Sequence, residues 1–296
     1  MERVLVTGAS GPIGAALVPS LEARGARVVR LVRGPAQDAG QLSWDPLRPL
    51  APETVSGFDV VVHLAGKGIF TRWTAARKKE IFESREQGTS HLASALAQAQ
   101  VRPRVFISAS AVGYYGSRGD EIMTESSGAG QGFPADICRA WEGAVHPAEA
   151  AGIRTVRLRI GLVLSPHGGA LAQMLLPFRL GLGGRLGSGK QWMSWVHVDD
   201  LVGAVHHVIG TESLQGAVNM VAPHPVTNAE FTRTLAAVLH RPALLPVPAF
   251  AARLAFGEMA QELLLTGQRA VPAKLEAGGY EFRFALLRAA LADLLE

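Results

Sequence analysis

The residues best suited to chemistry stand at the start of the chain. An apolar run, Val4-Leu5-Val6, leads into Thr7 and then Gly8-x-x-Gly11-x-x-Gly14, and an amphipathic stretch from Ala15 to Arg24 follows. Glycines so spaced between a strand and a helix serve three ends: a turn with unusual dihedrals, a backbone that a pyrophosphate can approach, and a helix packed close on its strand. The first amides of such a helix have no partner within it and are free to hold an anion. Pro12 fits, because a first-turn proline gives up only an N–H that the helix does not use. The spacing predicts a dinucleotide site built from Thr7, Gly8, Ser10, Gly11, Pro12, Ile13 and Gly14. A ligand-free turn would leave so much glycine without a purpose.

Two further groups extend this reading. Arg33 closes the apolar run Arg27 to Arg33, and no acid stands beside it. Sites for NAD place an acid roughly 20 residues past the glycines to hold the ribose hydroxyls, whereas sites for NADP use arginine for the extra phosphate. Arg33 therefore points to NADP(H), with a merely solvated arginine as the alternative. Hydroxyls then gather where Val105-Phe106-Ile107 continues into Ser108, Ser110, Tyr114 and Tyr115. Ends of central strands are where a nicotinamide ring belongs in open α/β sheets. Ser110 with Tyr114 or Tyr115 is the set that would meet a substrate oxygen, and packing or turn formation is the alternative for both tyrosines.

Such residues need a sheet beneath them. Phe58 to Leu64 reads as a third buried strand ending in Leu64-Ala65-Gly66, small enough to admit the dinucleotide. Thr74 to Gln100 lacks proline and has near-helical apolar spacing, which predicts one long helix carrying Glu80, Ser84 and Arg85 past the cofactor, with a narrow face at Gly88-Thr89. Gly34 to Gly57 reads as an irregular loop with a packed turn at Ser43-Trp44-Asp45-Pro46. Ala135 to Ala151 reads as one helix and Thr155 to Leu164 as one strand. Gly181 to Gly189 is a wrapped loop, Gln191 to Val196 is strand-like, and Asp199-Asp200 open a helix through Gly210. Ala217 to Ala222 is a short strand, and Thr227 caps a helix in a capping box with Glu230. From Pro242 the chain breaks into small helices, the last an amphipathic segment from Phe284 to Leu295. The expected fold class is α/β: a doubly wound parallel sheet over residues 1–165, with 190–222 returning to it, and a smaller α+β substrate-side region over 166–296. That region includes a small C-terminal domain from about residue 242.

Composition narrows the function classes. With 296 residues, 48% of them hydrophobic, the chain can bury a full core. Basic residues number 29 against 25 acidic, a formal charge of +4, and no basic run resembles a nucleic-acid tail. The single cysteine, Cys138, excludes an internal disulfide framework and a cysteine-cluster metal site. Adjacent His206 and His207 face different sides of a helix, so no metal site is expected. A strand at the first residues argues against a leader, and no apolar run approaches a membrane span. The expectation is a cytoplasmic protein, monomer or homodimer, acting on a small molecule, without nucleic-acid or membrane partners.

Thr7-Gly8-x-x-Gly11-x-x-Gly14, Leu64-Ala65-Gly66, Tyr115-Gly116 and Val196-His197-Val198-Asp199-Asp200, in this order, resemble an extended short-chain dehydrogenase/reductase. More narrowly, Ser108 to Gly116, Leu175-Leu176-Pro177-Phe178, Thr227 to Phe231 and Gly257-Glu258-Met259 through Arg269 resemble the atypical, epimerase-like (nucleoside-diphosphate-sugar epimerase-like) subgroup, which ends in a small C-terminal domain. The resemblance implies a Rossmann-type fold that binds NADP(H). It sets the glycine turn at the pyrophosphate, Arg33 at the 2′-phosphate, and Leu64, Ala65 and Gly66 along the dinucleotide. Arg85 would support the strand end with Glu80 orienting it, and Val163 would line the nicotinamide side with Ser108. Lys67 departs from the acid expected after Leu-Ala-Gly.

Ordinary members use a tyrosine and a lysine four residues later, the lysine lowering the pKa of the phenol that moves the proton. Alignment on Glu142 puts Pro134 and Cys138 in those places, and neither can do that work. Two functions stay open: an NADP(H)-dependent oxidoreductase or epimerase on a small polar or sugar-like substrate, or an NADP(H)-binding sensor or scaffold without turnover.

Overall fold

Apolar runs such as Val4-Leu5-Val6 and Val60-Val61-Val62 suit strands covered on both faces, and they lie fully buried at the centre of one sheet. The computed structural model describes residues 1–296. The chain begins with β1 (Arg3–Thr7), α1 (Pro12–Ala23), β2 (Arg27–Arg33), β3 (Gln41–Trp44), α2 (Pro52–Val55), β4 (Val60–His63), α3 (Ala75–Gln98) and β5 (Val105–Ala111). A 3-10 turn over Val112–Tyr115 leads to β6 (Ile122–Met123), α4 (Phe133–Gly143), α5 (His146–Ala150), β7 (Arg154–Ile160) and β8 (Leu162–Leu164). Next come α6 (Gly169–Arg179), β9 (Trp192–Met193), β10 (Trp195–His197), α7 (Val198–Gly210), β11 (Gly216–Met220), β12 (Val226–Thr227) and α8 (Asn228–Val238). The chain ends through α9 (Ala249–Phe256), a π turn at Ala260–Leu264, β13 (Arg269–Ala270), α10 (Ala273–Ala277) and α11 (Leu287–Leu295).

Seven strands pair wholly in parallel in the order β3-β2-β1-β4-β5-β7-β11. This is a doubly wound, Rossmann-type sheet whose winding reverses between β1 and β4, the place where such sheets open a ligand crevice at their carboxyl ends. Alternating side chains split the core between its faces. Val4 and Val6 pack with Leu17 and Leu21 of α1 and Leu201 and Val205 of α7, while Leu5 and Val61 pack with Leu92 and Leu96 of α3.

A second core gathers Leu171, Leu175 and Phe178 of α6, Phe231 and Leu235 of α8, and Leu287 and Leu291 of α11 around Trp195. Asp200, buried in the first turn of α7, ties the C-terminal segment down. Its carboxylate accepts from the amides of Arg283 at 2.8 Å and Phe284 at 2.9 Å, and its carbonyl accepts from the Tyr280 hydroxyl at 2.8 Å.

Four local expectations need correction. Residues 34–57 are not wholly irregular, since Gln41–Trp44 forms the edge strand beside β2, a pairing that only the sheet supplies. The helix expected over 135–151 divides into α4 and α5, because Pro147 lacks the N–H and carries a ring that blocks continuation. The strand expected over 155–164 divides at Gly161, where a Cβ would collide with Ser194 O and come within 2.7 Å of Val221 Cγ1. Helix α6 was not expected, and it forms despite Pro177 in its last turns.

If Asp200 anchors the C-terminal segment, Asp200→Ala should lower stability by about 1.5–3 kcal/mol, the usual worth of a hydrogen bond to a charged group. Urea denaturation measures the loss, and hydrogen exchange should show the Arg283 and Phe284 amides losing protection first.

Candidate functional site

The glycine turn is shaped by close approach. Gly8 has φ +69°, and a Cβ there would lie 2.7 Å from the Leu64 carbonyl carbon and 2.8 Å from Ala65 N. A Cβ on Gly14 would collide with Gly8 O, so α1 can begin against the turn only with glycine at this place. The Gly11 amide donates to Gly8 O at 3.0 Å, and as the N-cap Gly11 supplies no capping side chain. With Pro12 at the first helical position, the early amides of α1 near Ile13 and Gly14 are left to a ligand. Ser10 is exposed at the same rim.

Thr7 braces this turn from below. Its Oγ1 accepts from the amides of Leu64 and Ala65, both at 3.2 Å, and lies 2.7 Å from His63 Nδ1. With both lone pairs used, the hydroxyl proton goes to Nδ1, which leaves the His63 proton on Nε2, 3.0 Å from Thr89 Oγ1 of α3. Burial pushes the His63 pKa down to about 4, so the ring is neutral and its tautomer fixed.

Around the turn, Arg33 is exposed at the carboxyl end of β2 and forms no ion pair, while Arg30 is held by Asp38 at 2.9 Å. Leu64 and Ala65 are half-buried and Gly66 is exposed. A Cβ on Gly66 would lie 3.3 Å from Arg85 Cζ, so Arg85 lies against this strand end. The Arg85 guanidinium sits 4.9 Å from the Trp141 ring centre and donates to Ile81 O, and burial pushes its pKa down to about 10. Glu80 does not orient it. Its carboxylate is taken by Lys67 at 2.7 Å and Arg77 at 3.1 Å, which hold it below the usual carboxylate range. Lys67, out of keeping with the expected acid, thus has a partner one helical segment away. Val163 is half-buried on β8, paired with Val196.

The hydroxyls of β5 are not where the sequence set them. Strand β5 continues through Ala111, so Ser108 and Ser110 are buried within it rather than beyond it. Ser108 Oγ makes only a long contact, 3.4 Å, to the Ala109 carbonyl. Ser110 Oγ donates to Glu142 Oε1 at 2.8 Å. Arg159 of β7 grips the same carboxylate with two prongs, Nε to Oε1 at 2.8 Å and Nη2 to Oε2 at 2.9 Å. Arg159 Nη1 donates to the Tyr115 hydroxyl at 3.0 Å, and that hydroxyl donates to Asn219 Oδ1 at 2.6 Å.

Tyr115 is wholly buried, which pushes its pKa up despite Arg159, so it is no acid-base group for a ligand. Burial works against the charge of Arg159, but Glu142 and Tyr115 more than offset it and hold its pKa above the ordinary value. Of the three residues expected to do catalysis, Tyr114 alone is partly open. Its ring lies on the Arg159 guanidinium, 3.5 Å away, and its hydroxyl makes no hydrogen bond within the chain. Sequence reading missed the Arg159–Glu142 pair, because Arg159 is one of three arginines in β7, with Arg154 and Arg157, and nothing local marks it as the buried one.

Pro134 and Cys138 do face the turn that follows β5. A Cβ on Gly113 would stand 3.2 Å from Pro134 Cβ and 3.8 Å from Cys138 Sγ. The thiol is buried 3.6 Å from Ala111 O, and burial pushes its pKa up to about 11. Beyond Gly116 and Pro134 opens a cavity of about 580 Å³, bordered by Arg118, Gln131, Glu262 and Gln268. A larger hollow of about 690 Å³ lies at the amino ends of β7 and β11, the wrong end of the sheet for this chemistry. His206 and His207 part to Ser20 and Gly278. His197, Asp199 and Asp293 converge, but Arg283 stands 3.5 and 3.7 Å from the two carboxylates, where a cation would go.

Residues 4–220 match the family model described as NAD dependent epimerase/dehydratase family. The chain belongs to the NAD dependent epimerase/dehydratase family. Residues 247–294 match a domain of unknown function, DUF1731, and relatives named epimerase family protein SDR39U1 from Bos taurus and Homo sapiens are 41% and 39% identical over 99% of this chain and 99% of their own. The epimerase family protein Mb2239 of Mycobacterium bovis is 44% identical over 281 residues, 94% of this chain and 93% of that one. The human epimerase family protein SDR39U1, crystallised with NADPH, superposes with a TM-score of 0.91 at 37% identity, covering 99% of this chain and 98% of that one. A nucleoside-diphosphate sugar epimerase of Corynebacterium glutamicum has a TM-score of 0.84 at 38% identity and covers 99% of this chain and 58% of its own.

Two tests bear on the family site as it stands here. Arg159→Met leaves Glu142 buried without a counter-charge and should cost about 3–5 kcal/mol, and Arg159→Met/Glu142→Leu should recover most of it in urea melts. The folded protein also binds the His63 proton more weakly than the unfolded chain. Stability should therefore be complete above pH 6.5 and fall as pH drops from 6.5 toward 4, by about 3 kcal/mol in all. Midpoints across that window should flatten in His63→Asn, and an unchanged slope would contradict the assignment.

Proposed function

We propose that this member of the family binds NADP(H) and acts as an oxidoreductase or epimerase on a small polar, sugar-like substrate. One observation carries the cofactor half: Arg33 stands unpaired at the carboxyl end of β2, and the acid that follows it, Asp38, is held by Arg30. The cradle fits the group. Glycine at Gly8 and Gly14 lets the turn close against Leu64, Ala65 and its own backbone, the start of α1 has no side-chain cap, and no carboxylate beside Arg33 would repel a 2′-phosphate. The human relative crystallised with NADPH supports the same choice.

In this reading the amides near Ile13 and Gly14 hold the pyrophosphate, Arg33 holds the 2′-phosphate, and Leu64, Ala65 and Gly66 flank the dinucleotide. Bound NADP(H) would give a hydride to a substrate carbon or take one from it. Ser108 and Val163 would back the nicotinamide side. Tyr114 is the phenol left to orient a substrate oxygen, and the 580 Å³ cavity bordered by Arg118 and Glu262 would hold the rest of the molecule. A second reading, cofactor binding without turnover, is favoured by Pro134 and Cys138 in α4, where ordinary members carry the tyrosine and lysine, and by the closed hydrogen bonds of Ser110 and Tyr115.

NADPH should bind at least about tenfold more tightly than NADH, and Arg33→Ala should erase most of the difference, since a charge-assisted phosphate contact is worth about 1.5–3 kcal/mol. Equal affinities in calorimetry would overturn the cofactor assignment. Tyr114→Phe separates the two functions: it should abolish NADPH-dependent turnover of a responding carbonyl or nucleotide-sugar substrate while leaving NADPH affinity intact.

A further inference from the structure

The face built by α6, the glycine loop after it and α9 carries an unusual surface. Eight of the fourteen exposed large apolar side chains lie there: Leu176, Leu180, Leu182, Leu244, Leu245, Phe250, Leu254 and Phe256. The segments that bear them are stitched together. Arg241 Nε donates to Arg179 O at 3.0 Å, the Val247 amide donates to Arg185 O, and the Gly187 amide donates to Val247 O, both at 2.9 Å. Gly181 packs on Pro242. Exposed apolar side chains gathered on adjoining segments in this way mark an interaction surface.

Its charge is one-sided. Neither 165–198 nor 231–257 contains an aspartate or a glutamate, while Arg179, Arg185, Arg241 and Arg253 are exposed and none forms an ion pair. A two-fold pairing with another copy of the chain would set these arginines against each other with no acid to neutralise them. Protein interfaces draw on tyrosine and tryptophan anchors, and this patch is leucine and phenylalanine alone. Leucine and phenylalanine amid unpaired basic residues is the chemistry of an interfacial lipid contact.

We propose that this face docks the protein peripherally on an anionic lipid bilayer, with the leucines and phenylalanines entering the headgroup boundary and the arginines meeting lipid phosphates. The contact is superficial, since no helix is long and apolar enough to cross a membrane. It revises the expectation of no membrane partner, which rested on contiguous apolar runs, whereas this surface is assembled from two separate stretches of chain. It does not depend on the cofactor reading.

The test is co-sedimentation of the full chain with vesicles of phosphatidylcholine alone, or of phosphatidylcholine and phosphatidylglycerol in equal parts, at low and high salt. The protein should pellet with the anionic vesicles only and release as salt rises. Leu244→Glu/Phe250→Glu/Leu254→Glu should lose the binding, and Arg179→Glu/Arg253→Glu should weaken it by roughly tenfold or more. Both variants should keep the unaltered chain's circular dichroism and NADPH affinity. Failure to pellet with anionic vesicles, or pelleting that survives the triple substitution, overturns the proposal. So does a concentration-dependent dimer in analytical ultracentrifugation that the triple substitution abolishes, because the face would then belong to a second copy.

Discussion

A guanidinium taken out of water must be matched on every side, and Arg159 shows what that demands. It spans the carboxylate of Glu142, the hydroxyl of Tyr115 and the ring of Tyr114, and through Tyr115 and Asn219 it reaches the carbonyl of Val271. Six parts of the chain are thereby joined near the carboxyl ends of β5 and β7: both strands, the turn after β5, helix α4, β11 and the C-terminal segment. A partly satisfied network of this kind would be costlier than an apolar core, so its members are bound to one geometry. The consequence is chemical. Ser110 and Tyr115, by type the residues for holding a substrate oxygen, are committed to structure, and Tyr114 is held by its ring with its hydroxyl left over.

The cofactor side rests on a neutral analogue of the same device. Thr7, His63 and Thr89 form a buried chain from β1 through β4 to α3, and Thr7 uses its remaining capacity on the amides of Leu64 and Ala65. Those residues are the ones that approach Gly8 too closely for any Cβ. The glycine turn and the Leu-Ala-Gly strand end are therefore one unit, set before any ligand arrives, so little ordering cost falls on binding. Arg85 lies against the other side of that strand end, its guanidinium over the Trp141 ring.

The C-terminal residues complete the molecule rather than hang from it. Asp200 joins α7 to the segment before α11, while Leu275, Tyr280 and Phe282 pack on the core of the first sheet. The match to a domain of unknown function over 247–294 thus falls on chain that shares its packing with the cofactor-binding part. Beside it, the exposed leucines and phenylalanines of 176–182 and 244–256 stand among exposed arginines, and neither 165–198 nor 231–257 contains an acid.

Much was legible in the sequence because it is local. The glycine spacing, the apolar runs of β1, β2 and β4, the long helix α3 and the cap at Thr227 each depend on neighbours within a turn or a strand, and the structure carries them with small shifts at the ends. The edge strand β3 and the break at Gly161 were lost for the opposite reason. Strand β3 is decided by its partner β2 and the break at Gly161 by a clash with Ser194 and Val221, while the break at Pro147 is local to the proline. The same division holds at the site. Residue types alone pointed to Arg33 and the glycine turn, since a phosphate needs a cation and free amides wherever they occur. Which hydroxyls are free was settled only by folding, because a buried arginine 44 positions from Tyr115 and 17 from Glu142 takes its hydrogen bonds from whatever the sheet brings within 3 Å.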